Sequence, residues 1–313
     1  MSNAASSLLD TFHLGRPVKL LKETASKWSE DKCPTLGAAL AYYTVFSLAP
    51  LMLVLLAVFG LIYGGSDAAR DKIIHQLGYF VDKSTVEVVQ SVANNAAKPT
   101  QGILATVVGV VVALFGASGV FGQLQEALNT VWSVKPKPGG GIRGFLRARF
   151  LSFSMVGGVC FLLLVSLTLS SVVHLFSGPL KQVLPGGDLI PLLINLALDL
   201  VVVTLLFAMI FKYLPDAKIA WSDVWIGAGL TTLFFLIGKW ALGIYLGSAS
   251  AGSAYGAASG LITTFVWVYY SAQIMLFGAE FTQIYATEYG SHVVPKEHAV
   301  KVKTSQAVDP AAG

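Results

Sequence analysis

The sequence predicts an all-α, polytopic membrane protein with six transmembrane helices, both termini cytoplasmic, and short amphipathic helices at the membrane surface. Three observations carry this prediction. The 313 residues are 55% hydrophobic and 12% charged, with a mean hydropathy of +0.69, whereas soluble domains carry about 25% charged residues. Four windows, 33–66, 99–125, 150–180 and 240–279, contain no Asp, Glu, Lys or Arg, and a spanning helix needs only about 20 such residues. Finally, Lys and Arg are unevenly shared between successive connections, as membrane topology demands.

The elements follow in chain order. Residues 1–34 hold no apolar core of signal-peptide type, and Lys19, Lys22, Lys27 and Lys32 are spread through a polar stretch. This segment is expected to stay cytoplasmic and uncleaved. Within it Val18, Leu21, Ala25 and Trp28 recur at helical spacing before Pro34, which reads as an interfacial helix on the inner leaflet turning into the membrane, with a merely solvated helix as the alternative. The transmembrane domain, 35–289, contains spans at approximately 35–63, 102–129, 148–176, 189–211, 221–246 and 257–286. With the N-terminus inside, fifteen basic residues fall in cytoplasmic segments, five in outer ones and Lys239 within a span. That asymmetry sets the orientation.

The longest outer connection, 64–101, carries Ile73, Ile74, Leu77 and Phe80, then Val86, Val89 and Val92, at helical spacing. Two short amphipathic helices forming an outer cap are expected there. The loop KPKPGGGIRG (135–144) is basic and flexible, and 247–260 is a small, uncharged connection read as a tight surface loop with re-entry as the alternative. Residues 290–313 form a cytoplasmic tail, largely disordered by composition.

Charged and amide side chains inside apolar helices are costly, so they mark function or structural locks. Asn195 and Asp199 share a face of the fourth span, and Lys239 lies at comparable depth in the fifth. An interior Asp199–Lys239 pair is expected, as pathway or as lock. Toward the cytoplasm Gln123, Glu126 and Asn129 are spaced by threes, and Gln273 and Glu280 lie two turns apart in the sixth span. Glu126 is read as lining a cavity and Glu280 as emerging into water. Tyr42 and Tyr43 lie deep enough in the first span to need hydroxyl partners, and Pro50 frees a carbonyl, so a kinked first helix bordering a polar interior is expected. Gly109, Ala113 and Gly116 thin the second helix and Gly227, Gly238 and Gly243 the fifth, for close packing.

Cys33 and Cys160 are the only cysteines. Their placement offers no disulfide geometry and too few sulfurs for a metal site. No nucleotide-binding loop of the G-x-x-x-x-G-K-[ST] type occurs, so ATP does not drive the protein directly. No cofactor, metal or nucleic acid is expected, and membrane lipids are the expected partners.

The stretches CPTLGAALAYYTVFSLAPLMLVLLAVFGLIYG (33–64), LFGASGVFGQLQEALNTVWSV (114–134) and FVWVYYSAQIMLFGAEFTQIYA (265–286) closely resemble the YihY/BrkB family of bacterial inner-membrane proteins. The resemblance runs from about Lys19 to Tyr289 and implies a six-helix fold in the cytoplasmic membrane. It also brings a virulence label, an old ribonuclease BN label and suggestions of lipid or small-solute transport. Metal-dependent RNA hydrolysis needs a soluble cluster of ligands around an open metal, whereas the five histidines here, His13, His75, His174, His292 and His298, are scattered over opposite membrane faces. The chain is therefore expected not to be an enzyme. The leading expectation is a transporter passing a lipid, or another amphiphilic or small organic substrate, through a polar interior. The rival is a non-transporting scaffold that recruits an envelope protein through the outer cap; an ion channel is disfavoured because no ring of like charges repeats.

Overall fold

The computed structural model describes residues 15–63, 83–96, 119–138, 189–248 and 259–302, with scattered positions between 71 and 78 and between 144 and 169. Its first helix, α1 (Gly15–Glu30), is polar enough to need side-chain support. Lys19–Glu23 (3.5 Å) and Lys27–Asp31 (3.7 Å) pairs run along it at i,i+4 spacing, both with the lysine first, the weaker of the two orders for such pairs. Lys32, in the left-handed conformation at φ 53°, ends the helix. Two residues on, Pro34 sits in the first turn of α2 (Cys33–Tyr63), where its missing N–H costs nothing.

Beyond α2 come α3 (Lys83–Ala96), α4 (119–131), the apolar α5 (Phe153–Ser166), α6 (Leu189–Tyr213), α7 (Trp221–Ser248) and α8 (Ser259–Glu288). Among the described residues three segments are long and apolar enough to cross a membrane: Leu193–Tyr213, Trp221–Ile244 and Gly260–Glu288. In the 18-residue apolar stretch of each, only 28%, 33% and 28% is buried inside the chain. Their remaining apolar surface, including Leu196, Leu200, Ile237, Trp240 and Ile244, needs a non-aqueous neighbour.

α8 is the hub, packing against α1, α2, α3 and α7, while α6 lies on α7. Small residues let these axes approach. A methyl group at Gly227 of α7 would overlap the Thr282 side chain of α8, and one at Gly278 of α8 would overlap Thr231 of α7. Each of these threonines donates its hydroxyl within its own helix, Thr231 to Gly227 (2.7 Å) and Thr282 to Gly278 (2.6 Å). The crossing is thereby tight and fully satisfied. Gly238 repeats the arrangement against Tyr270 and Ile274, whereas Gly243 meets nothing.

The tightest core lies at the end of the bundle that carries α1. Leu128, Val131 and Trp132 of α4 and its exit, Phe207, Phe211 and Leu214 of α6 and its exit, Val224 of α7 and Leu276 and Ala279 of α8 meet there. Four short strands finish this end: β1 (Val134–Pro136) pairs antiparallel with β4 (Ala299–Lys301), and β2 (Ala217–Lys218) with β3 (Val294–Pro295). The segment after α8 thus staples the exits of α4 and α6. This corrects the expectation of a largely disordered stretch from 290, which holds no disorder as far as Val302; residues 303–313 lie outside the described residues. Pairs of two or three residues leave no alternating pattern to read. Asp223, in the first turn of α7, fixes the turn after α8 by accepting from the Ser291 amide (3.1 Å) and hydroxyl (2.9 Å).

Between α2 and α4, α3 forms over Lys83–Ala96 and buries Val89. The earlier of the two helices expected there lies largely outside the described residues, as do Gly109, Ala113 and Gly116.

Candidate functional site

The polar residues of the bundle gather into three places. The first is a buried seam between the end of α1, the start of α2 and the middle of α8. Glu280 is fully buried and accepts a hydrogen bond from the Cys33 thiol at 3.6 Å. One turn-pair earlier on the same face, Gln273 donates to the carbonyls of Cys33 and Pro34, both at 3.5 Å. Asp31 closes the seam from the end of α1, 3.7 Å from the Lys27 ammonium and close enough to Glu280 for the two carboxyls to feel each other's charge. Burial pushes the Asp31 carboxyl above the usual carboxylate range, against the opposing pull of Lys27. Asp31 Oδ2, Glu280 Oε2, Gln273 Oε1 and Trp28 Nε1 are buried atoms without a hydrogen-bond partner.

This placement corrects the reading of Glu280 as a residue emerging into water. Its depth in α8 was legible, but the cover supplied by α1 and Cys33 was not, because those residues lie about 250 positions away.

The second place is the clasp around Asp216. Its carboxylate accepts from Asn129 (2.9 Å), Gln125 (3.3 Å) and the His298 ring (2.8 Å), while its amide donates to Asn129 Oδ1 (2.7 Å) and its carbonyl accepts from the Lys296 amide (2.8 Å). Neither Asp216 nor His298 stood out in the sequence, since a lone acid in a helix exit is commonplace. The expected stripe of Gln123, Glu126 and Asn129 separates here. Steps of three drift about 60° each around a helix, so Asn129 turns inward with Gln125 while Glu126 is exposed and Gln123 half-buried. Glu126 therefore does not line an enclosed cavity.

The third place is the α6–α7 contact. Asp199 and Lys239 are half-buried and attract each other, Asn195 sits one turn before Asp199, and Thr204 donates to, or accepts from, Thr232 at 3.1 Å. Tyr42 and Tyr43, expected to border a polar interior, lie on the surface of α2 at 54% and 43% exposure beside Phe46. Pro50 lies within α2, and its side chain is outside the described residues.

Next to the seam, an open groove of about 450 Å³ runs between α7 and α8 under the edge of α1. Its wall is apolar and aromatic (Trp28, Phe234, Ile237, Tyr270, Ile274 and Phe277), and Gln273 is its polar member from the seam. The opposite edge of α1 borders a smaller cleft of about 310 Å³ lined by Glu23, Lys27, Glu30 and Glu288. Thr24, fully buried and bonded to the Leu20 carbonyl (2.7 Å), is the seat on which α1 rests. Leu21 and Ala25, part of the predicted apolar stripe, remain exposed beside it.

Long apolar helices packed through glycines, with their outward faces apolar and their polar groups gathered within, define a multi-pass integral membrane protein. Comparison with known proteins makes this specific. The chain matches the family model described as virulence factor BrkB over residues 24–303, and it belongs to that family. It is 27% identical over 261 residues to a UPF0761 membrane protein of Tolumonas auensis, covering 80% of each chain. It is 28% identical over 272 residues to a UPF0761 membrane protein of Pseudomonas aeruginosa, covering 85% of this chain and 62% of that longer relative. A ribonuclease-like protein of Bacillus subtilis, YfkH, is 22% identical over 267 residues, covering 84% of this chain and 94% of that one. No solved structure matches the chain. These UPF0761 relatives are membrane proteins by name, and the chain is a multi-pass inner-membrane protein.

Proposed function

We propose that this chain is a six-span protein with both termini in the cytoplasm, that it is not an enzyme, and that it moves an amphiphilic molecule, a lipid or similar organic substrate, along the lateral groove between α7 and α8. The observation that supports this reading is the groove itself. An apolar, aromatic channel open to the side accepts a hydrocarbon chain from the bilayer, and Gln273 and Trp28 at its end offer an unpartnered acceptor and donor to a polar head. The sequence-derived orientation puts that polar end at the cytoplasmic leaflet. Lys239 follows the groove residues Ile237 and Gly238 in the sequence of α7, and with Asp199 of α6 it is read as a charged flank of the path.

Flux in proteoliposomes tests the proposal. A labelled phospholipid is scored for access to the opposite leaflet with wild-type protein, with Ile237→Trp to fill the groove, with Asp199→Asn, and with no protein. Protein-dependent movement that falls in Ile237→Trp supports a path through the groove. Equal signals in all vesicles remove it and favour the scaffold reading, for which α3, firmly seated on α2 and α8, offers a surface for an envelope partner. Replacing Asp199 and Lys239 together by apolar residues separates the readings again, because a purely structural ion pair is replaceable.

A further inference from the structure

The seam between α1 and α8 contains an arrangement that hydrogen bonding alone leaves incomplete. Asp31 and Cys33 lie two residues apart, the Cys33 thiol donates to Glu280 Oε1 at 3.6 Å, and on either side of it Asp31 Oδ2 and Glu280 Oε2 are buried with no hydrogen-bond donor, each carboxyl feeling the other's charge. Carboxylate oxygens only accept. Two of them facing each other without a donor repel, unless a proton lies between them. We propose that Asp31 and Glu280 bind one shared proton, and that this proton latches α1 against α8 and so holds the wall that α1 contributes to the groove.

The surrounding charges fit a single proton. Lys27, 3.7 Å from Asp31 Oδ2 and 3.8 Å from Glu30 Oε2, is the cation of the site. With one shared proton, Asp31, Glu280 and Lys27 sum to zero; without it, a negative charge is left in a dry seam. The Cys33 thiol donates to one Glu280 oxygen, Oε1, and Oε2 is the oxygen left without a donor. Glu30 is largely exposed. On α7, Asp223 is engaged by Ser291 and Lys239 attracts Asp199; Glu87 on α3 and Glu126 on α4 are exposed. Burial also favours the protonated form of Asp31.

The mechanical consequence follows from what α1 touches. Ala25 and Trp28 line the groove, and Asp31 ends the same helix. Losing the proton places two carboxylates in contact and drives the end of α1 from α8, widening the groove beneath Trp28. The sign is fixed: a carboxyl whose proton affinity is raised by folding stabilises the closed arrangement at low pH and ceases to do so as pH rises through its titration. The link to the groove rests on the proposed transport path; the proton latch does not.

Two measurements on the full chain in liposomes test the latch without any substrate. Hydrogen exchange of the α1 amides is compared between wild type and Glu280→Gln, which stays neutral at any pH. The expected result is equal exchange at about pH 6 and roughly tenfold faster exchange in wild type at about pH 9, which corresponds to about 1.4 kcal/mol of local opening free energy. Equal exchange at both pH values overturns the proposal. Infrared spectra near neutral pH should show the carbonyl band of a protonated carboxyl that both Glu280→Gln and Asp31→Asn remove; its absence from wild type overturns the proposal too, and Asp31→Asn serves if the glutamate variant does not fold. A latch that responds to pH in a protein that moves no lipid would refute the transport reading alone.

Discussion

Asp216 shows how one buried carboxylate can organise a membrane protein outside the membrane. It is 4% exposed and is held by two side-chain amides and an imidazole drawn from the exit of α4 and the segment after α8. Asp216→Ala leaves Asn129 and Gln125 unpaired in a closed site, and each buried group without a partner costs about 1–3 kcal/mol. The variant is expected to melt well below wild type in a detergent thermal-stability assay. Asp216→Asn, which keeps one acceptor for Asn129, should lose less. Residue type predicted that Asn129, Asp199, Lys239 and Gln273 need partners, because the bilayer penalises polar groups irrespective of fold, whereas Glu280 was read as reaching water. It did not predict who those partners are: Gln125 rather than Glu126 joins Asn129, and Tyr42 and Tyr43 stay on the surface.

Between α7 and α8, shape matters more than charge. Gly227 and Gly278 each receive a threonine from the facing helix, so any side chain there meets the Thr282 or Thr231 carbon atoms. Gly278→Val is expected to cost about 1–3 kcal/mol, as overpacking does, and to lower folded yield and melting temperature. Gly243→Ala, facing open space, should change stability by less than about 0.5 kcal/mol. Glycine spacing pointed to a thin α7, but which glycines matter depends on the crossing point of two helices joined by a connection outside the described residues. The strands lie further from sequence reading still. Truncation after Val293 removes β3 and β4 and the Asp216–His298 contact; the exits of α4 and α6 should then exchange amide protons faster, while the α7–α8 crossing keeps its protection.

For the molecule as a whole, sidedness decides what the groove and seam can reach. The proposed orientation places Lys22 and Lys301 inside and Asn94 outside. In a background with Cys33 and Cys160 replaced by serine, a membrane-impermeant thiol reagent should label Lys22→Cys and Lys301→Cys only in inverted vesicles, and Asn94→Cys only in intact cells. The reverse pattern would invert the topology and move the polar end of the groove to the outer leaflet.

Membrane residence and the approximate extent of the helices at 189–248 and 259–288 were determined by sequence alone, because desolvation sums over each window of about 20 residues and needs no knowledge of neighbours. Which polar groups meet was decided only in three dimensions. Cys33 and Glu280 are 247 positions apart and Asn129 and Asp216 are 87 apart, so their contacts depend on how helices rotate and cross, which glycine-sized steric detail and the short strands beyond α8 set together. Local composition places each helix in the membrane; the packing of one helix on another makes the seam, the clasp and the groove.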